Sequence, residues 1–339
     1  MRIAMLAPVA WRTPPRHYGP WEQVAFNITE GLVKHGFDVT LFATKDSFTN
    51  GKLDGIIDRG YEEDKNTDAK VAECLHISYL MEQANAFDII HNNFDFLPLT
   101  YSALIKTPVI TTIHGFSSKL IVPVYKKYND INHYVSISNA DRDSSLNYLA
   151  TIYHGIKQED FLFVEKPADY LLCFGRIHPD KGTHDAILIA KAAKRKLIIA
   201  GIIQDEKYYK EKVEPFIDNE QIVFAGHAAP AKRKELLGNA LALLHPIYFN
   251  EPFGLSVAEA MFCGTPVIAY NKGSMPELVK NNVSGFLVSN TGEAIACVAE
   301  ISEINRRCCY EYAVEKFSYD KMINQYIEAY KYVCAHPLK

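Results

Sequence analysis

Between Leu241 and Tyr270 the residue pattern leaves little choice of fold. Leu241 to Leu244 is a short apolar run and reads as a buried strand. Leu255 to Phe262 has the make-up of a helix, and Gly264 followed by Pro266 stops it. Pro266 to Tyr270 is a second apolar strand. The loop ahead of the helix carries Glu251, Pro252 and Gly254. Gly254 falls where the helix begins, and a glycine there lets a ligand approach the backbone. Free N–H groups and the positive end of the helix dipole favour an anion such as a phosphate. Glu251 and Glu259 flank that place. Like charges repel, so these carboxylates suit hydroxyl donors rather than the phosphate. A phosphate between two acids points to a ligand with sugars on either side of it.

The same alternation runs through the chain. Arg2 to Ala7 reads as the first strand, with a loop over residues 8–20 and a helix from Trp21 to His35 that Gly36 ends. Val39 to Ala43 is the next strand, so the chain opens on a strand–helix–strand unit with its loop at the strand's carboxyl end. Residues 45–68 are polar and read as a surface excursion without chemistry. A helix over Ala69–Ala84 follows, then strands at 87–92 and 108–113. Their ends place His91 and His114 toward one cleft. Tyr134 to Ile137 is a strand, and Ser138 caps a following helix that Asp141-Arg142-Asp143 opens. Acids belong at a helix start, so this Asp-x-Asp is not read as a metal site. The second half restarts at Tyr170–Phe174, with Gly175-Arg176 and Lys181-Gly182 bounding a loop before a helix from Thr183. Arg176 and Lys181 can both reach a diphosphate and offset its charge. Further strands are expected at 196–200 and 222–225, and an amphipathic helix at 320–334. Two doubly wound α/β parallel-sheet domains follow from this pattern, over residues 1–157 and 168–319, with a linker near 158–169.

Glu251-x7-Glu259, within E-P-F-G-L-S-V-A-E-A-M-F-C-G-T-P-V-I-A, resembles the signature of the retaining GT-B glycosyltransferases of the large glycosyltransferase family 4, the group 1 glycosyl transferases. About nineteen contiguous residues agree in kind. Gly-Arg-x4-Lys-Gly at 175–182 is similar to the family's diphosphate loop, and the order Pro276-Glu277-Leu278, Ser284-Gly285 also matches. Tyr18-Gly19-Pro20-Trp21-Glu22 looks like the family's Gly-Gly-x-x-Glu loop, with Pro20 where a second glycine stands. Proline offers no N–H, which leaves Gly19 as the phosphate contact. The likeness is strongest over 170–290 and thin over 45–170.

The resemblance implies a GT-B architecture with two Rossmann-like domains facing a cleft and the last helix, 320–339, crossing back onto the first. It implies donor on the second domain and acceptor between the two. His114, Arg176, Lys181 and Glu251 become catalytic candidates. His114 would lie over the donor sugar, Arg176 and Lys181 would meet the diphosphate, and Glu251 would hold sugar hydroxyls. Gly19, Gly226, His227, Phe253, Gly254, Leu255, Ser256 and Glu259 become donor-binding candidates, with Glu259 on the ribose and Gly226 and His227 near the base. No residue stands out as a covalent nucleophile.

Composition narrows the partners. With 339 residues, 48% hydrophobic and 22% charged, the chain is long enough for two domains with proper cores. A net charge of −4 implies no nucleic-acid partner. Seven cysteines without a Cys-x-x-Cys pair read as reduced thiols of a cytoplasmic protein. No stretch approaches a membrane span, and the apolar run from Ile3 reads as a strand rather than a signal peptide. No cofactor or essential metal is expected. The resemblance implies a nucleotide diphospho-sugar donor, a UDP- or GDP-sugar first, and an acceptor that is a sugar, a lipid-linked molecule or a small molecule. Trp11, Tyr18, Trp21 and Phe94 offer stacking surfaces. Lys119, Lys126 and Lys127 beside Ile121, Val122 and Tyr125 allow peripheral membrane contact. Two alternatives stay open: a sugar phosphorylase or epimerase on the same fold, and a non-catalytic nucleotide-sugar binder. A dehydrogenase is disfavoured, because no Gly-x-Gly-x-x-Gly follows the first strand.

Overall fold

The computed structural model describes residues 1–17, 19–116, 118–336 and 338. Tyr18, one of the expected stacking surfaces, lies outside the described residues. The chain divides into two compact units. One is Met1–Ile137 with Arg142–Tyr153 and Met322–Lys339, and the other is Ser138–Asp141 with His154–Lys321.

The first unit is built on strands β1 (Arg2–Leu6), β2 (Asp38–Phe42), β3 (Lys52–Asp54), β4 (Ile89–Asn92), β5 (Val109–Ile113), β6 (His133–Ser136) and β7 (Tyr148–Thr151). They form one parallel sheet in the order β3-β2-β1-β4-β5-β6-β7. Ile3 to Leu6, Val109 to Ile113 and His133 to Ser136 are buried along their whole length, as strands covered on both faces must be. Helices α1 (Pro20–Lys34), α2 (Ala69–Glu82) and the short α3 (Val122–Lys127) connect them. Val24, Ile28 and Leu32 of α1 are buried at helical spacing, and Asp68 caps α2 by accepting the Val71 N–H at 3.0 Å.

Two expectations change here. Residues 45–68 are more than an excursion. They supply the edge strand β3, and Tyr61 and Glu62 donate backbone N–H groups to Val9 and Ala10, bracing the loop after β1. The Asp141-Arg142-Asp143 stretch does not open a helix. Ser138 Oγ accepts the Asp141 N–H at 3.1 Å, and Asp143 Oδ1 accepts from Ser145 N and Oγ at 2.9 and 2.7 Å. Such side-chain turns compete with a helix, and β7 begins too soon after them for one to form.

The second unit contains β8 (Tyr170–Phe174), β9 (Lys196–Ala200), β10 (Ile222–Gly226), β11 (Ala242–His245), β12 (Val267–Tyr270) and β13 (Gly285–Val288). Its sheet is parallel, in the order β10-β9-β8-β11-β12-β13. Its helices are α4 (Thr183–Ala192), a single turn α5 (Glu206–Tyr208), α6 (Pro230–Asn239), α7 (Leu255–Phe262), α8 (Met275–Leu278), α9 (Thr291–Glu300) and α10 (Arg306–Phe317). Residues 158–169 are held on this unit: Val164 N donates to Cys263 O, Ala168 N to Asn239 O, and Lys234 pairs with Asp160 at 2.8 Å.

The last helix, α11 (Tyr319–Ala335), joins the first unit from Met322 onward. Its buried face carries Met322, Ile323, Tyr326, Tyr330 and Val333. Tyr330 Oη lies 2.7 Å from His91 Nδ1, and Tyr326 Oη lies 3.0 Å from Thr112 Oγ1.

Candidate active site

In each sheet the strand order reverses beside the first strand of the unit, between β1 and β4 and between β8 and β11. Open parallel sheets bind ligands outside the carboxyl ends of strands at such a reversal. In the second unit the loops there are the ones after β8 and β11. They lie close. Tyr248 N donates to Asp180 O at 2.7 Å, and a Cβ on Gly182 would meet Pro246 O at 1.9 Å. Only glycine, here at a φ of 64°, permits that approach.

This brings Lys181 to Glu251. Lys181 Nζ donates to Glu251 Oε2 at 2.5 Å, and both side chains are about one-sixth exposed or less. His245, buried at the end of β11, has Nε2 3.7 Å from the same oxygen. Burial pushes the Glu251 carboxyl up, but His245 and the Lys181 ammonium outweigh it and hold the carboxyl at about 2. The ammonium also sits 4.5 Å from the centre of the Phe249 ring. Gly254 begins α7 at a φ of 94°, and a Cβ there would lie 2.7 Å from Met275 Cε and 3.6 Å from Glu251 Cγ. A cation, an ionised carboxylate and a helix start therefore occupy one spot. Leu255 and Ser256, the first residues of α7, are half-buried beside it.

Arg176 is on the Lys181 loop, yet it has other partners. Its guanidinium donates to Gln204 Oε1 and lies 3.4 Å from Asp180 Oδ2. Phe253 turns its ring inward, packing edge-on to His154 and Phe317 at 5.1 and 5.8 Å. Any ligand contact from Phe253 would come through its backbone. Glu259 is buried on α7 and paired with Arg233 of α6. Gly226 ends β10 in the left-handed region, at a φ of 69°, and His227 beyond it is exposed. That strand lies on the far side of β8 from the Glu251 loop.

The first unit presents different chemistry at the same topological place. Gly19 caps α1, and a Cβ on it would meet Pro15 Cβ at 2.8 Å and Glu22 Oε2 at 3.0 Å. Glu22 is buried and accepts the Trp11 N–H at 3.2 Å. Its burial pushes the carboxyl up to about 7. His114, just after β5, lies 3.0 Å from Asn93 Oδ1 through Nε2, and its ring stacks on Trp21 at 5.7 Å. Phe94 is buried in the apolar core and offers no free face. His91 does not share a cleft with His114. It is fully buried between Tyr330 and Thr112, with burial lowering its pKa to about 3. The reason is strand alternation: His91 is inside β4 and points toward α11, whereas His114 is past the end of β5.

A family profile for group 1 glycosyl transferases matches residues 157–307, and one for glycosyltransferase family 4 matches residues 21–158. The chain belongs to this glycosyltransferase family. It is 27% identical over 290 residues to an uncharacterized 41.2 kDa protein from the cps region of Klebsiella pneumoniae, spanning 73% of this chain and 79% of that one. It is 23% identical to an uncharacterized glycosyltransferase of Methanocaldococcus jannaschii over 98% of both chains. Among solved structures it resembles Anabaena HepE in complex with UDP and glucose, with a TM-score of 0.74 at 18% identity, over 98% of this chain and 100% of that one. The architecture is GT-B, and the protein is an enzyme of hexosyl transfer.

Several residues around the glycosyltransferase's candidate site were not singled out from its sequence. Asp180 and Gln204 hold Arg176, His245 backs Glu251, and Arg233 holds Glu259. Arg233 sits in Lys232-Arg233-Lys234, which reads as a solvated basic helix start. Its one signal is position: it lies one turn beyond Pro230, on a helix that must pack beside α7. Among the described residues no helix is long and apolar enough to cross a membrane.

Proposed function

We propose that this glycosyltransferase transfers a sugar from a nucleotide diphospho-sugar, a UDP- or GDP-sugar, with retention of the anomeric configuration. The observation that carries the reading is the 2.5 Å Lys181–Glu251 pair beside the left-handed Gly254 that starts α7. The diphosphate lies against Lys181, Arg176 and the N–H groups of Leu255 and Ser256, which meet its negative charge as it leaves. These side-chain cations supply the stabilisation without calling on a resident metal or cofactor. Glu251, ionised and held in place, accepts hydrogen bonds from hydroxyls of the transferred sugar. Glu259 accepts them from the ribose, and Gly226 and His227 border the base. Gly19 and His114 take their donor-side roles from the family resemblance. The leaving phosphate itself helps deprotonate the acceptor on the same face, so no covalent nucleophile is required. The seven unpaired cysteines fit a cytoplasmic, reducing setting.

The acceptor is a sugar, a small molecule or a lipid-linked molecule. The last is supported by Leu120, 87% exposed, beside the exposed Lys119, Lys126 and Lys127. Cosedimentation with vesicles of an anionic lipid at low salt checks it; no pelleting removes the membrane contact.

The donor reading is tested with a panel of UDP-, GDP-, ADP- and dTDP-sugars, scored by thermal shift and by slow release of nucleoside diphosphate, for wild type and Glu251→Gln. One base should be preferred, and the variant should release about a hundredfold more slowly while binding the free diphosphate normally. Absence of binding, or equal release by both proteins, removes the role given to Glu251.

A further inference from the structure

Arg233 and Glu259 form an ion pair across α6 and α7. The Glu259 side chain is 8% exposed and that of Arg233 34%. Arg233 Nη2 donates to Glu259 Oε2, and the guanidinium carbon lies 5.4 Å from the centre of the Phe174 ring at the end of β8. Its Nε is buried and has no hydrogen-bond partner among the described residues. A carboxylate this deep loses its hydration, which favours the neutral acid. Burial raises the Glu259 carboxyl above its usual range; the Arg233 charge and hydrogen bond offset only part of that push, and nearby Asp160 adds to it. Lys234 faces the other way, pairing with Asp160 at 2.8 Å.

The geometry has a chemical consequence. A carboxylate offers about four lone-pair positions, and Arg233 engages one oxygen through one N–H. The rest can accept hydroxyl hydrogens, with a cation already beside the carboxylate. The guanidinium is itself steadied on Phe174, so the carboxylate is fixed before a ligand arrives. That suits a vicinal pair of hydroxyls. Resting on the donor-site reading, we propose that Arg233 is a positioning residue: by holding Glu259 it makes the site select ribonucleotides over 2′-deoxyribonucleotides. A site built to hydrogen-bond a hydroxyl leaves a buried polar group unpaired when that hydroxyl is missing, and this is where strong discrimination arises.

The test is titration calorimetry on the full chain with UDP and GDP and with their 2′-deoxy counterparts. Wild type should prefer the ribonucleotide of its base at least tenfold. Arg233→Met keeps the packing on Phe174 and removes the charge and the fork. It should bring the preference to within about twofold, by weakening the ribonucleotide and leaving the deoxynucleotide nearly unchanged. Arg233→Lys should recover much of the preference. In a Glu259→Gln background, Arg233→Met should add less than a twofold loss, because it acts through the carboxylate. A residue serving only stability would lower the melting temperature and leave the preference intact, and that result overturns the proposal. So does equal weakening of both nucleotides, or full additivity with Glu259→Gln. If Arg233→Met does not fold, Arg233→Gln is measured against the same criteria. Wild type that binds neither nucleotide overturns the donor reading and the positioning role together. Wild type that binds, with a preference indifferent to residue 233, overturns the positioning role alone.

Discussion

The two units share a strand order and differ in what they hang on it. Six of the seven strands of the first sheet repeat the order of the second, β3-β2-β1-β4-β5-β6 against β10-β9-β8-β11-β12-β13. At the reversal the second unit gathers charge: Lys181 with Glu251, and Arg176 with Asp180. Arg233 with Glu259 adds a further pair on its helices. At the corresponding loops of the first unit stand His114 on Asn93, Trp21 stacked over His114, and Glu22 held by a backbone N–H. The scaffold fixes where ligands go, and the loops decide which kind. Paired charges buried at low dielectric suit a diphosphate, whose charge grows as the bond breaks. Hydrogen-bonding and aromatic surfaces suit hydroxyl-rich groups.

The largest expected effect comes from breaking the charged side of that contrast. Lys181→Met leaves Glu251 buried beside His245 without its ammonium and, on the proposed reading, takes a cation from the diphosphate. Release of nucleoside diphosphate should fall on the order of a thousandfold, about 4 kcal/mol. The matched change in the first unit, His114→Ala, removes the hydrogen bond to Asn93 and the ring contact with Trp21. It should cost about tenfold, near 1.4 kcal/mol. Turnover measured side by side decides it: equal losses, or a larger loss for His114, would mean that the two sets of loops do not divide the chemistry by charge.

The charged side was also the legible side. The Leu241–Tyr270 pattern located β11, α7 and β12 within a residue or so, because a buried parallel strand is a continuous apolar run and the helix is bounded by glycine and proline. Lys181 could be named from its glycine-bounded loop, and Glu251 from the Glu251-x7-Glu259 motif ahead of Gly254. Their meeting at 2.5 Å could not, since it depends on Gly182 letting two loops touch. Arg233 was hidden for a related reason. One inward-facing residue in three consecutive basic ones cannot be told apart without the helix phase. Asp141-Arg142-Asp143 misled because acids after a serine serve a helix cap and a side-chain turn equally well. The short motifs are denser in the second unit's loops than in the first's, although the family 4 profile spans residues 21–158.

A middle-sized effect would sharpen the first unit's side. Glu22 is buried with no salt bridge among the described residues, and its carboxyl is raised from 4.5 to about 7 by burial. An acid whose pKa is raised on folding prefers its neutral form in the native state. Below about pH 4.5 both folded and unfolded forms are protonated and nothing is lost. As pH rises toward 7 the unfolded chain gives up its proton first, and stability falls. Glu22→Gln keeps an oxygen for the Trp11 N–H and removes the titration. Its advantage over wild type should grow from near zero at pH 4.5 to on the order of 3 kcal/mol above pH 7. Denaturant unfolding at several pH values reads this out, and a difference that stays flat across the range would show Glu22 to be as well compensated as Glu251.

The smallest effect concerns the support beneath the first unit's loops. Tyr330 on α11 meets His91 Nδ1 at 2.7 Å, while Thr112 meets its Nε2 at 2.8 Å. Both ring nitrogens of a fully buried, neutral histidine are thus spoken for. Tyr330→Phe keeps the ring and strands one nitrogen, which costs about 1 to 2 kcal/mol. Unfolding should register that loss, while nucleotide affinity, which the reading gives to the second unit, should stay within twofold of wild type. An affinity that fell along with stability would tie α11 to the donor site, and the division of labour between the two sheets would have to be redrawn through that helix.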